Sequence, residues 1–150
     1  MKYELSADEW YTIEGLAAIL EPIAFVSTLF QGQEESDAFC TISCVIPLWR
    51  NLINQLKGTM FKRPFSNPPE ALKVADMNPE VMCARDMIAK DLKRRLDAML
   101  RGTSQTRDTI VKTTALDRRY FTSLTLQEQQ LAEELLRKEY SELAKVLDAK

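Results

Sequence analysis

The stretch from Leu20 to Leu56, LEPIAFVSTLFQGQEESDAFCTISCVIPLWRNLINQL, decides the fold class of this chain. It is densely apolar, and a polar segment with one glycine, QGQEESD at 31–37, divides it in two. Apolar residues recur at steps of three and four on both sides of that segment, which is the spacing of a helix with a buried face. We therefore expect the end of one helix, a loop, and a second helix over 38–57.

Each of these two helices contains a proline. Proline lacks the backbone N–H and clashes with the preceding turn of a helix. We therefore expect Pro22 to kink or break the first helix near 18–20, and Pro47 to interrupt the second. Trp10 and the phenylalanines of the first helix are expected in the core, as large aromatic side chains usually are.

Helix starts can be placed from capping patterns in the rest of the chain. Ser6-Ala7-Asp8-Glu9 and Thr125-Leu126-Gln127-Glu128 both fit a capping box, in which the first and fourth residues bond each other's backbone. Asn78 followed by Pro79 predicts a third helix that runs to about Arg101. The segment 103–109 is polar and is expected to be loose, and apolar residues return over 110–121.

These patterns predict an all-α fold, an irregular bundle of four to six helices with two of them proline-kinked. We expect residues 1–150 to form a single helical domain, with 59–77 as an exposed, proline-rich connector. The low glycine count of four favours helices over tight hairpins. At 150 residues and 45% apolar composition, the chain is long enough for a real core.

Composition also excludes several classes of site. The chain has no histidine, which excludes imidazole-based catalysis and zinc binding through imidazole. Cys40 and Cys44 lie one helical turn apart, but only Cys83 could join them as a metal ligand, so we expect buried free thiols. No apolar run of membrane-spanning length and no signal peptide are expected, which favours the cytoplasm or nucleus. No cofactor and no small-molecule substrate are predicted.

The third predicted helix carries a basic side. The net charge of −2 shows that the whole chain is not a polycation, so any DNA contact must come from a local surface. The alternative is a solvated helix face whose charge is offset by Asp86, Asp91 and Asp97. The candidate DNA-binding residues are Lys90, Lys93, Arg94, Arg95 and Arg101.

Two further motifs carry a family resemblance. Ser43-x-Val45-x-Pro47 lies in the opening stretch, and Ala115-Leu116-Asp117-Arg118-Arg119-Tyr120 lies late in the chain. In this order and spacing, over about residues 4–121, the chain resembles the hAT-superfamily transposases and the zinc finger BED domain-containing proteins. Leu116, Asp117, Arg119 and Tyr120 match the family's leucine-aspartate-proline-arginine-aromatic motif. Arg118 replaces the usual proline and Phe121 a frequent lysine, which suggests a degenerate or domesticated copy.

The resemblance implies the helical segment that is inserted into a ribonuclease-H-like catalytic domain. Neither the family's catalytic acidic residues nor its BED zinc finger and dimerisation region are found here, so we expect no enzymatic activity and no bound metal. The resemblance implies a nuclear, DNA-associated or regulatory module. The alternative is a helical bundle that binds itself or another helical protein, and a metal-dependent nuclease is a third hypothesis.

Overall fold

The computed structural model describes residues 4–31, 42–68, 70–101 and 104–148. Within these ranges the chain forms five α-helices and one small sheet, which confirms the all-α class and the helix count. Three short 3₁₀ turns lie at Ile42–Cys44, Val74–Asp76 and Phe121–Ser123. The elements are α1 (Ala7–Gln31), α2 (Val45–Leu56), β1 (Met60–Lys62), β2 (Ala71–Lys73), α3 (Pro79–Leu100), α4 (Gln105–Leu116) and α5 (Leu126–Asp148).

Both predicted capping boxes are present. The Ser6 N–H donates to Glu9 Oε2 at 2.8 Å, and the Glu9 N–H donates to Ser6 Oγ at 3.3 Å. At α5 the Thr125 N–H donates to Glu128 Oε2 at 2.7 Å, and the Glu128 N–H donates to Thr125 Oγ1 at 3.3 Å. These bonds satisfy backbone donors that have no partner inside the helix, so the starts of α1 and α5 are determined locally.

The two helix prolines differ in position. Pro22 lies inside α1, which continues through it from Ala7 to Gln31, so the expected break does not occur. Pro47 lies in the first turn of α2, because this helix begins at Val45 after a 3₁₀ turn. A first-turn N–H has no intrahelical partner to lose. The predicted interruption at Pro47 is therefore wrong, and residues 38–41 of the expected helix lie outside the described ranges.

Contacts divide the chain into two compact units. The first unit comprises Met1–Ala38 and Asn51–Arg94, and the second comprises Phe39–Arg50 and Arg95–Lys150. The core of the first unit is built by α1, the C-terminal half of α2, the hairpin and α3. Its buried residues are Ala18, Ile19, Val26, Leu52, Leu56, Phe61, Leu72, Met77, Val81 and Ala89.

The region expected to be an exposed connector contains a β-hairpin instead. β1 and β2 pair antiparallel, and Phe61 lies opposite Leu72 in the register. Because side chains alternate between the faces of a strand, this pairing places both on the same face, where they are buried in the first unit's core. Met77 is buried there too. The predicted exposure of 59–77 is therefore wrong for these three residues.

Trp10 is exposed, contrary to expectation. It lies nine residues before Ile19, and at about 100° per residue this places the two side chains on opposite faces of α1. Since α1 buries the face that holds Ile19, Trp10 points to solvent, as Phe25 and Phe30 also do in large part. The broad apolar pattern of α1 predicts burial on several sides, but among the described residues of the first unit α1 is buried on one side.

The Ala7–Phe30 stretch of α1 is long and apolar enough to cross a bilayer, by length and composition alone. This differs from the expectation that no segment reaches that length. The same stretch supplies Ala18, Ile19 and Val26 to the core of the first unit, but only 22% of it is buried.

The second unit is built from the 3₁₀ turn at Ile42–Cys44, the start of α2, and helices α4 and α5. Its α4 begins within the segment expected to be loose, because Ser104 caps it by accepting from the Arg107 N–H at 3.1 Å. Cys44 is buried as expected, but it is disulfide-bonded and not a free thiol, whereas Cys83 is free. Cys40 lies outside the described residues. The buried core residues are Ile46, Ile110, Val111, Leu124 and Ala132.

Candidate functional site

The two motifs that carry the family resemblance meet in the second unit. The hydroxyl of Ser43 donates to Asp117 Oδ2 at 2.8 Å, across 74 positions of sequence. Ser43 is buried in the 3₁₀ turn before α2, and Asp117 is the C-terminal cap residue of α4. The two segments are thus held together by a direct side-chain hydrogen bond.

Arg119 completes this polar network. Its guanidinium donates from Nε to Asp117 Oδ1 at 3.0 Å and from Nη2 to Asp117 Oδ2 at 2.8 Å, which is the bidentate geometry of a strong ion pair. The Arg119 backbone N–H donates to Oδ1 as well, at 3.1 Å. With the Ser43 bond, the carboxylate accepts four hydrogen bonds, which is about its full capacity.

These bonds favour the ionised carboxylate. Donation from Arg119, and next from Ser43, holds the pKa of Asp117 well below its ordinary value of 3.8, and this outweighs the opposing effect of burial. Asp117 is therefore an anion under ordinary conditions, with its oxygens already occupied by this chain's own donors.

Neighbouring residues support the network from both sides. Thr114 is fully buried and donates to the Ser43 carbonyl at 3.0 Å, so α4 holds the serine through its backbone as well. The Arg119 guanidinium carbon lies 5.1 Å from the centre of the Tyr120 ring, within range of a cation–π interaction. Leu116, the remaining matched motif residue, is exposed. The structure therefore brings three of the four motif residues into one network.

A second network in this unit has no counterpart among the sequence predictions. The Arg50 guanidinium contacts both carboxylate oxygens of Glu128 at 2.6 and 2.9 Å, and it also donates to the Ser123 carbonyl. Burial raises the pKa of Glu128, but the bonds from Arg50 and Thr125 outweigh it, so the pKa lies below 4.5. Only the capping box at Thr125 is visible in the sequence, and nothing local marks Arg50 as its partner.

The candidate DNA-binding residues are all exposed on α3 or just after it. Lys90, Lys93 and Arg94 belong to the first unit, and Arg95 and Arg101 to the second. Arg94 pairs with Asp91 at 2.7 Å, and Arg101 lies 3.6 Å from Asp97. The five cationic side chains are exposed to solvent, as a DNA-binding surface requires. Part of their charge is also offset by acidic residues of the same helix, as expected for a solvated face.

The described ranges contain no group of three or more cysteine, aspartate or glutamate side chains arranged to hold a metal ion. No protein family model, no curated protein and no solved structure matches this chain.

Proposed function

We propose that this chain is a non-catalytic helical module related to the insertion region of hAT-superfamily transposases and zinc finger BED domain-containing proteins. The observation that carries the proposal is the 2.8 Å bond between Ser43 and Asp117. The two motifs are far apart in the sequence, and this bond joins them directly. A structural contact would therefore account for the presence of both motifs in one chain.

In this proposal Asp117 is a structural residue. Its four hydrogen bonds come from Ser43 and Arg119, so binding a catalytic metal would require this network to open. The protein is expected to leave DNA uncut in the presence of Mg²⁺. Magnesium-dependent strand cleavage by the pure protein that disappears in Asp117→Asn would contradict a non-catalytic role.

We further propose that the module associates with DNA in the nucleus through the basic residues of α3. Exposed lysine and arginine side chains on one helix can neutralise successive phosphates, which releases counterions and makes the affinity fall with salt. The acidic neighbours Asp91 and Asp97 weaken this attraction but leave the cationic side chains at the surface.

A mobility-shift titration at about 50 and 200 mM salt tests DNA association. The variant Lys90→Ala/Lys93→Ala/Arg94→Ala should bind more weakly, and the slope of log affinity against log salt should fall by about 0.9 for each phosphate that the protein no longer neutralises. The matched control is Arg137→Ala/Lys138→Ala/Lys145→Ala, which removes the same charge from exposed positions of α5. Absence of binding at low salt, or equal weakening in both variants, would contradict the assignment.

Protein–protein association is the second candidate function. The C-terminal half of α5 exposes Tyr140, Leu143, Val146 and Leu147, at helical spacings of three and four residues. Size-exclusion chromatography with light scattering on the wild type and on Leu143→Lys/Leu147→Lys tests this function. A concentration-dependent assembly that the variant abolishes would favour it, and a monomer at every concentration would argue against self-association.

A further inference from the structure

An open cleft of about 400 Å³ lies on the first unit, whereas the networks described above belong to the second. One wall is the first two turns of α1, where steps of three and four residues align the lining side chains. The other wall is Phe65, in the turn between β1 and β2. The cleft is lined by Ala7, Trp10, Tyr11, Glu14 and Phe65.

Three aromatic side chains converge here without being buried. Trp10 is 56% exposed, Tyr11 57% and Phe65 83%. Phe65 also has a φ angle of 62°, a left-handed conformation that bulky residues rarely adopt. Strained backbone of this kind is concentrated at ligand-binding positions. Phe65 therefore has an unfavourable backbone conformation and an exposed ring, and burial of the ring in a core does not offset that conformational free energy.

The turn that carries Phe65 is anchored by its neighbours. The Arg63 N–H donates to the Glu70 carbonyl at 2.7 Å. Ser66 Oγ donates to the Arg63 carbonyl and accepts from the Glu70 N–H, each at 3.0 Å. These bonds hold the backbone on both sides of Phe65, on the turn that lines the cleft opposite α1.

One carboxylate lies beside the rings. Glu14 lines the cleft and lies 3.2 Å from Arg63 Nη1. The same guanidinium lies 3.6 Å from a carboxylate oxygen of Glu70 through its Nε atom. Glu14 thus brings one carboxylate to the cleft, and Arg63 and Glu70 lie behind it outside the lining. Aromatic ring faces are electronegative, so three rings beside the Glu14 carboxylate favour a cation.

We propose that this cleft binds a quaternary ammonium group, carried as a trimethylated lysine side chain on a peptide. Methylation makes the cation larger and more weakly hydrated, so contact with ring faces can replace its hydration shell. The rings are more than half exposed, whereas sites for free small molecules enclose most of their ligand. An open cleft instead fits a cationic side chain that reaches in from a longer chain.

An NMR titration of the full chain with three short peptides of identical sequence tests the proposal. One carries trimethyl-lysine, one unmodified lysine, and one a neutral tert-butyl isostere in which carbon replaces the ammonium nitrogen. The trimethyl-lysine peptide should shift the Trp10 indole resonance and bind at least about fivefold more tightly than the other two. Equal binding of the isostere, or no binding of any peptide, would overturn the assignment.

Variants separate the site from folding. Trp10→Ala and Phe65→Gly should each weaken trimethyl-lysine binding by about fivefold or more. Glycine tolerates the φ angle at position 65, so the second variant removes the ring without straining the fold. The control Tyr140→Ala removes another well-exposed aromatic ring, from α5, and should bind like the wild type. Unchanged binding in Phe65→Gly would overturn the assignment, as would binding to phosphatidylcholine vesicles without binding to the peptide.

Discussion

Two aromatic residues, Phe65 and Trp10, have environments that their residue types do not predict. Phe65 is a bulky residue in a left-handed conformation, and its side chain is the most exposed of the large apolar ones described. Trp10 has the size and apolarity of a core residue, yet it lies on the solvent side of α1. Both residues line the same cleft, so the unusual exposure of each occurs at one place on the first unit.

Replacing Phe65 separates the backbone strain from the aromatic ring. Phe65→Gly should be more stable than Phe65→Ala by about 1 kcal/mol, because only glycine adopts a positive φ without a steric penalty from Cβ. Both variants lose the ring, so the comparison isolates the backbone. Urea denaturation followed by circular dichroism measures the difference. Identical midpoints for the two variants would show that position 65 is unstrained.

At the scale of elements, the contribution of an ion pair to stability depends on how far the pair is buried. Arg50 and Glu128 join the start of α2 to the capping box of α5, with side chains 27% and 14% exposed. Arg137 and Glu133 form an i, i+4 pair on the open surface of α5. Breaking a partly buried pair leaves the other charge without its partner, whereas a solvent-screened pair contributes little. The first pair is therefore expected to matter for the fold and the second is not.

Arg50→Met should destabilise the protein by about 2 kcal/mol, since it leaves the Glu128 carboxylate half-buried without its main donor. The double variant Arg50→Met/Glu128→Gln should cost less than the sum of the two single changes, because the unpaired charge is gone. The control Arg137→Met should change the free energy of unfolding by less than about 0.5 kcal/mol. Equal effects at Arg50 and Arg137, measured in urea, would contradict this assignment.

Close packing of α1 on α3 within the first unit depends on Gly15. A Cβ atom at this position would lie 2.9 Å from Val81 Cγ1, and Val81 is a buried, β-branched residue that cannot rotate away freely. Gly15→Ala should therefore destabilise the protein by about 1 kcal/mol, although alanine is otherwise the better helix former.

The double variant tests whether that steric conflict is the cause. In a Val81→Ala background the space beside Gly15 is open, so adding Gly15→Ala should be neutral or stabilising by up to about 1 kcal/mol. Thermal unfolding of the four proteins in this cycle measures the coupling. A Gly15→Ala penalty that is the same in both backgrounds would place the conflict elsewhere.

At the scale of the whole molecule, the resolved carboxylate shifts act in one direction. The pKa values of Glu9, Asp117 and Glu128 are all lowered, through bonds from Ser6, from Arg119 and Ser43, and from Arg50 and Thr125. A carboxylate with a lower pKa in the folded state stabilises the protein above its unfolded-state pKa. That contribution is lost as the pH falls towards the folded-state value.

The protein should consequently lose stability in acid. The urea midpoint is expected to be nearly constant from about pH 7 to pH 5 and to fall from there to about pH 3, because the ordinary pKa values of these groups are 4.5 and 3.8. Glu128→Gln should reduce the size of that fall, since glutamine cannot be protonated in this range. A midpoint that is unchanged or higher at pH 3 would contradict the direction of these shifts.

The sequence alone determined the features that depend on neighbouring residues. Helical periodicity determined the all-α class, and the patterns at Ser6, Asn78 and Thr125 predicted the starts of α1, α3 and α5. These were predictable because capping bonds and turn geometry involve residues within four positions of one another. The motifs around Ser43 and Asp117 could likewise be identified as short patterns, but the hydrogen bond between them could not.

Only the tertiary structure decided which faces are buried and which distant residues meet. The exposure of Trp10, the hairpin that buries Phe61 and Leu72, and the Ser43–Asp117 bond across 74 positions all depend on long-range packing. An apolar stripe shows that a face can be buried, but the partner that buries it lies elsewhere in the chain. Strand pairing and side-chain networks are likewise set by the free energy of the assembled unit and not by local preference.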